Sequence, residues 1–145
     1  MNETPIPLTN STPTESQAST HMSNKKRILV FSPDRDLAQS LSMLFENHFE
    51  ITCETSMGNL GKRIAAVAPA LLIVDLHTFS SDVMLELSIV ESSCVKVPIV
   101  ILRAYNRLRS DVEEMVQRNA QLVFYKPFNA EEVVRSIHKL LSVDQ

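Results

Sequence analysis

Three charged residues stand where short apolar runs end. Asp75 closes Pro69-Ala-Leu-Leu-Ile-Val-Asp75, Arg103 closes Pro98-Ile-Val-Ile-Leu-Arg103, and Lys126 follows Leu122-Val-Phe-Tyr125 and precedes Pro127. Open α/β sheets keep their ligand chemistry at the carboxyl ends of their strands. A carboxylate there, with a lysine nearby, offers a ligand or counter-charge site. Taken alone, Asp75 would cap the following loop and Lys126 would be a surface lysine; together they make a pocket. Arg103 has two readings: extended to solvent with its stem on the sheet edge, or ion-paired with Asp75. Cys53 and Cys94 lie in apolar segments without metal-ligand spacing, which favours buried free thiols in a reducing compartment.

The elements that must position these groups alternate. Arg27-Ile-Leu-Val-Phe-Ser32 reads as a first strand, and Leu37, Leu41, Leu44 and Phe45 then recur at helical spacing, with Ser32 or Asp34 as N-cap. Phe49, Ile51 and Cys53 alternate as a second strand, and Leu60, Ile64, Ala65 and Val67 mark a short helix ending before Pro69. The Asp75 run is a third strand, buried on both faces. Val83, Leu85, Leu87 and Val90 lie in a third helix, and the Arg103 run is a fourth strand. Val112, Met115, Val116 and Ala120 mark a fourth helix with Arg109, Asp111 and Glu114 outside. After the fifth strand, Asn129-Ala-Glu-Glu132 starts a helix burying Val133, Val134, Ile137, Leu140 and Leu141 and leaving His138 toward solvent. Five strand–helix alternations predict a parallel sheet with helices on both faces.

The 145 residues suit one domain with a tail. Residues 1–24 carry only Glu3 and Glu15 as charges among Ser, Thr, Pro and Asn, so they are expected to be disordered, with residues 25–145 as the domain. Met22-Ser-Asn-Lys-Lys-Arg reads as a start in its own right. A net charge of −3 argues against nucleic acid, and no apolar run is long enough to span a membrane, so a cytoplasmic location is expected.

From Lys25 to about Val143 the chain resembles the receiver domain of two-component response regulators. The residues that carry the resemblance are the Asp75 run, Pro98-Ile-Val-Ile-Leu-Arg103-Ala104-Tyr105 and Lys126-Pro127-Phe128. It implies a flavodoxin-like (βα)5 fold with strand order 2-1-3-4-5. It also implies Asp75 at the phosphoacceptor position, Lys126 at the phosphate contact, a cis bond before Pro127 and Asp82 at a common acidic position. Partners would be proteins, such as a histidine kinase, docking on helix 4, strand 5 and helix 5; a homodimer is a further option.

The departures reshape this expectation. The family's two metal-holding acids are Ser32 and Pro33 here, with Asp34 one residue out of place. Arg103, followed by Ala104, replaces the usual Ser or Thr; Val123 replaces the usual aromatic, with Phe124 and Tyr125 adjacent; Phe79-Ser80 replaces Pro-Gly. Any residual metal site would rest on Asp75 and the backbone of His77. Counting Asp75, Arg103 and Lys126 gives −1 + 2 = +1, which leaves no electrostatic demand for Mg²⁺, so no cofactor is expected. The reading is a stand-alone, non-enzymatic atypical receiver with phosphorylation lost or weakened; the alternative is a working phospho-receiver. An FMN-binding flavodoxin-like protein would need a phosphate-cradling first loop, which Ser32-Pro33-Asp34-Arg35 does not supply.

Overall fold

A computed structural model describes residues 25–76, 83–93 and 96–143. Residues 1–24 lie outside the described residues, as do His77, Phe79, Ser80, Asp82 and Cys94. The elements alternate in chain order: β1 (Arg27–Phe31), α1 (Arg35–Phe45), β2 (Glu50–Glu54), α2 (Met57–Val67), β3 (Leu71–Asp75), α3 (Val83–Ser93), β4 (Ile99–Arg103), α4 (Ser110–Asn119), β5 (Leu122–Tyr125) and α5 (Ala130–Val143). The strands form one parallel sheet, as the alternation predicts, in the order β2-β1-β3-β4-β5 that the resemblance implies.

The alternation of side chains along each strand divides the core in two. Ile28, Val30, Leu71, Ile73, Val100 and Leu102 pack with Leu41 and Phe45 of α1 and Val133 and Ile137 of α5. Leu29, Phe31, Leu72, Val74, Ile99 and Ile101 pack on the opposite face with residues of α2, α3 and α4. Every residue of β3 and β4 is buried, which explains their unbroken apolar runs. Each fully buried Leu or Ile contributes about 1.5–3 kcal/mol.

Helix ends follow local chemistry. Asp34, not Ser32, caps α1, with its Oδ1 accepting from the N–H groups of Asp36 and Leu37 at 3.0 and 3.2 Å. Asn129 Oδ1 likewise accepts from Glu131 and Glu132 at 2.9 and 3.1 Å. The second helix is longer than expected, running eleven residues, and ends at Ala68 in the left-handed region with φ 48°. A non-glycine residue there costs about 1–2 kcal/mol.

Two sequence expectations shift. Leu85 is 55% exposed, whereas Val83, Leu87 and Val90 form the buried stripe of α3. Leu85 lies two residues after Val83, nearly on the opposite side of the helix, and Glu86, three residues after it, turns inward. Phe49 is buried but stands just ahead of β2 rather than within it. Cys53 is a half-buried free thiol whose titration burial pushes up. His138 is exposed, as expected, and packs against Phe49 at 4.7 Å between ring centroids. Among the described residues no helix is long and apolar enough to cross a membrane.

Candidate functional site at the carboxyl edge of the sheet

Parallel pairing brings the carboxyl ends of all five strands to one edge. The sheet ladder continues a residue past β3 and β5: Leu76 N–H donates to Leu102 O at 2.9 Å and Lys126 N–H to Arg103 O at 2.8 Å. Asp75 and Lys126 are therefore held by backbone on either side of β4. The Lys126 ammonium pairs with Asp75 Oδ1, and the Lys126–Pro127 peptide is cis. Asp75 is wholly buried, and its Oδ2 accepts from the Ser32 hydroxyl at 2.8 Å. Ser32, itself buried, also accepts from Asp34 N–H at 3.1 Å, which ties the end of β1 to the cap of α1. Ser32 thus holds Oδ2 by a hydrogen bond, and Lys126 holds Oδ1 by charge alone.

Arg103 does not pair with Asp75, nor does it extend to solvent. Its side chain is 5% exposed and grips Glu113 of α4: Nη1 donates to Oε1 at 2.7 Å and Nη2 to Oε2 at 2.8 Å. Nη2 also donates to Asn106 O at 3.0 Å, and Glu113 Oε2 accepts from Leu108 N–H at 3.0 Å. The reason lies in strand alternation. Asp75 follows Leu71 and Ile73 toward the α1/α5 face, and its β4 register partner is Leu102. Arg103 follows Ile99 and Ile101 toward the opposite face, where α4 packs. Hydrogen bonds from Arg103, opposed by burial, hold the Glu113 carboxyl at about 2, well below its ordinary 4.5. The charge count changes accordingly: Asp75 with Lys126 sums to −1 + 1 = 0, and Arg103 with Glu113 sums to zero separately.

The other positions singled out by sequence scatter around this edge. Pro33 is exposed and offers no side-chain ligand, and the hydrogen bonds of the Asp34 carboxylate go to the α1 backbone. Ala104 is half-buried, and Val123 packs against the α4-side core. Among the described residues, no group of three or more His, Cys, Asp or Glu side chains could hold a metal. Among the described side chains, the donor set at Asp75 is thus one carboxylate and one hydroxyl, a poor match for Mg²⁺, which requires oxygen ligands and favours carboxylates. Sequence reasoning missed Glu113. The available signals were the parity of Arg103 with Ile99 and Ile101, and an acid in the first turn of the next helix.

Beside Arg103 the surface is aromatic. Its guanidinium carbon lies 5.6 Å from the centroid of the Tyr125 ring, and Tyr105 stacks on Tyr125 at 4.3 Å with the planes 12° apart. Tyr105 is 79% exposed. A separate groove of about 550 Å³ between α1 and α5 is lined by Leu44, His48, Val134, Arg135 and His138 and does not include Asp75.

No protein-family model matches this sequence, and no curated protein matches it. Solved structures do. A response-regulator signal receiver domain from Bermanella marisrubri is 21% identical, with TM-score 0.65, covering 81% of this chain and 99% of its own. A CheY-like receiver domain protein from Methanospirillum hungatei is 17% identical, with TM-score 0.68, covering 82% of this chain and 95% of its own. A Francisella response-regulator receiver domain is 18% identical, with TM-score 0.67, covering 83% of this chain and 99% of its own. With its 2-1-3-4-5 parallel sheet and flanking helices, the chain has the flavodoxin-like fold of response-regulator receiver domains.

Proposed function

We propose that this chain is an atypical receiver that works in signal transduction by protein–protein contact, with Mg²⁺-dependent phosphorylation of Asp75 lost or weakened. The observation that carries the reading is the closure of Asp75. The carboxylate is wholly buried, one oxygen bonded to Ser32 and the other paired with Lys126. Phosphoryl transfer to a carboxylate needs a free nucleophilic oxygen and metal to neutralise charge. Ser32 and Pro33 stand where the family holds its metal acids, so the described side chains offer Asp75 no second carboxylate for a metal. Signalling would then pass through a surface on α4, β5 and α5, where the Tyr105–Tyr125 stack offers a protein partner, such as a histidine kinase, an exposed aromatic contact.

The second reading, a working phospho-receiver, draws on the Lys126–Asp75 pair, which would supply one positive charge to an acyl phosphate on Asp75. Titration with Mg²⁺, then with Mg²⁺ and beryllofluoride, while recording amide chemical shifts separates the two. Flat titrations are expected. Saturable shifts at millimolar or lower concentration, clustered around Asp75 and Lys126, would refute the first reading and establish the second.

A further inference from the structure

We infer that the Arg103–Glu113 pair is a conformational latch that fixes α4 and the turn before it in one position, independently of the state of Asp75. The pair joins two consecutive elements, the end of β4 and the first turn of α4, across the turn between them. Both guanidinium Nη atoms reach the carboxylate, at 2.7 and 2.8 Å, so the contact sets orientation as well as distance. The same two residues tie down the intervening turn, through Asn106 O and Leu108 N–H. One ion pair therefore anchors the strand end, the turn and the helix start.

The modest stability that the pair contributes does not by itself account for the latch. Arg103 is 4% exposed, and among the described residues its Nε, also buried, has no hydrogen-bond partner. An unsatisfied buried donor is costly, and buried ion pairs are often replaced by apolar residues without loss of stability. Their best-attested use is to select one arrangement among alternatives. Here the arrangement selected is the seating of α4. Its core contacts, Val112, Met115 and Val116, are apolar and non-directional and tolerate sliding or rotation. Its far end is held on α3 by Arg118 and Asn119, which donate to Glu91 at 2.8 and 2.9 Å, so what the latch sets is the first half of the helix and the turn before it.

The latch also separates α4 from Asp75. Arg103 is committed to Glu113 on the α4 side, whereas Asp75 is committed to Ser32 and Lys126. A change of charge on Asp75 would leave both partners of the latch in place. This deepens the proposed function, on which it rests for the role of α4 as a partner surface, by naming what holds that surface in a constitutive form.

The test is hydrogen exchange on the full chain, comparing the parent with the double variant Arg103→Leu/Glu113→Leu. The latch predicts a melting temperature within about 5 °C of the parent. It also predicts that α4 amides exchange at least about tenfold faster, while those of β1 and β3 keep their protection. Unchanged α4 protection, or an equal loss throughout the sheet, would overturn it. If the double variant does not fold, Glu113→Gln alone is read in the same way, with selective loss in α4 supporting the latch and retained protection refuting it. No phosphodonor or partner enters the experiment. A failed latch leaves the reading of Asp75 standing, and saturable beryllofluoride binding would refute that reading without touching the latch.

Discussion

Replacing Asp75 by alanine should destabilise this domain, and the sign is what matters. In a pocket crowded with acids, removing one carboxylate relieves repulsion and stabilises the fold. Here Asp75 is wholly buried, bonded to Ser32 at 2.8 Å and paired with Lys126. Deleting it leaves a buried hydroxyl without its acceptor and a lysine without its counter-charge. Breaking a buried ion pair costs about 3–5 kcal/mol. Because the Lys126 side chain is 29% exposed and can turn to water, the lower figure of ~2–3 kcal/mol applies. For a domain of this size that corresponds to a melting temperature lower by roughly 6–15 °C. Circular dichroism melts at neutral pH would measure it, with Asp75→Asn as a control that keeps an acceptor for Ser32 and loses less. An Asp75→Ala variant as stable as the parent, or more so, would refute the claim that the contacts with Ser32 and Lys126 stabilise the fold.

Two further outcomes follow from other parts of the molecule. Glu113 titrates at about 2 in the folded chain against an ordinary 4.5, so its contribution is full above about pH 5 and is lost as pH falls through 2. The difference, ~3 kcal/mol before screening, shrinks to ~1–2 kcal/mol because the side chain is 34% exposed. Glu113→Gln should therefore lower stability by that amount at pH 7 and by almost nothing at pH 2, as read from urea unfolding at each pH. Separately, a chain starting at Met22 should melt within a few degrees of the full chain; an unfolded truncation would place residues 1–21 within the folding unit.

Much of the architecture was legible because local and global demands agree. β3 and β4 are buried on both faces, so their unbroken apolar runs could be read directly, and Asn129 announced α5 by capping it. The meeting of Asp75 and Lys126 followed once both were placed at strand ends in a parallel sheet. Ser32 was harder, because a hydroxyl near a helix start reads equally well as an N-cap; only the fold shows that Asp34 takes that role and frees Ser32 for Asp75. Arg103 was misassigned because proximity along the sheet edge was weighed without the parity of its strand. Leu85 failed similarly: hydrophobicity was counted without its angle on α3.

The closing of both charge pairs bears on how molecules arrive at this edge. An ion attracted over long range responds to net charge, and each pair presents a dipole whose field falls off faster with distance than that of a lone carboxylate or guanidinium. Neither pair would focus divalent cations or phosphate-bearing anions toward Asp75, so their encounter with it would proceed at an unsteered diffusional rate with little dependence on ionic strength. What the edge offers instead is its exposed tyrosine stack, which is uncharged and acts only on contact.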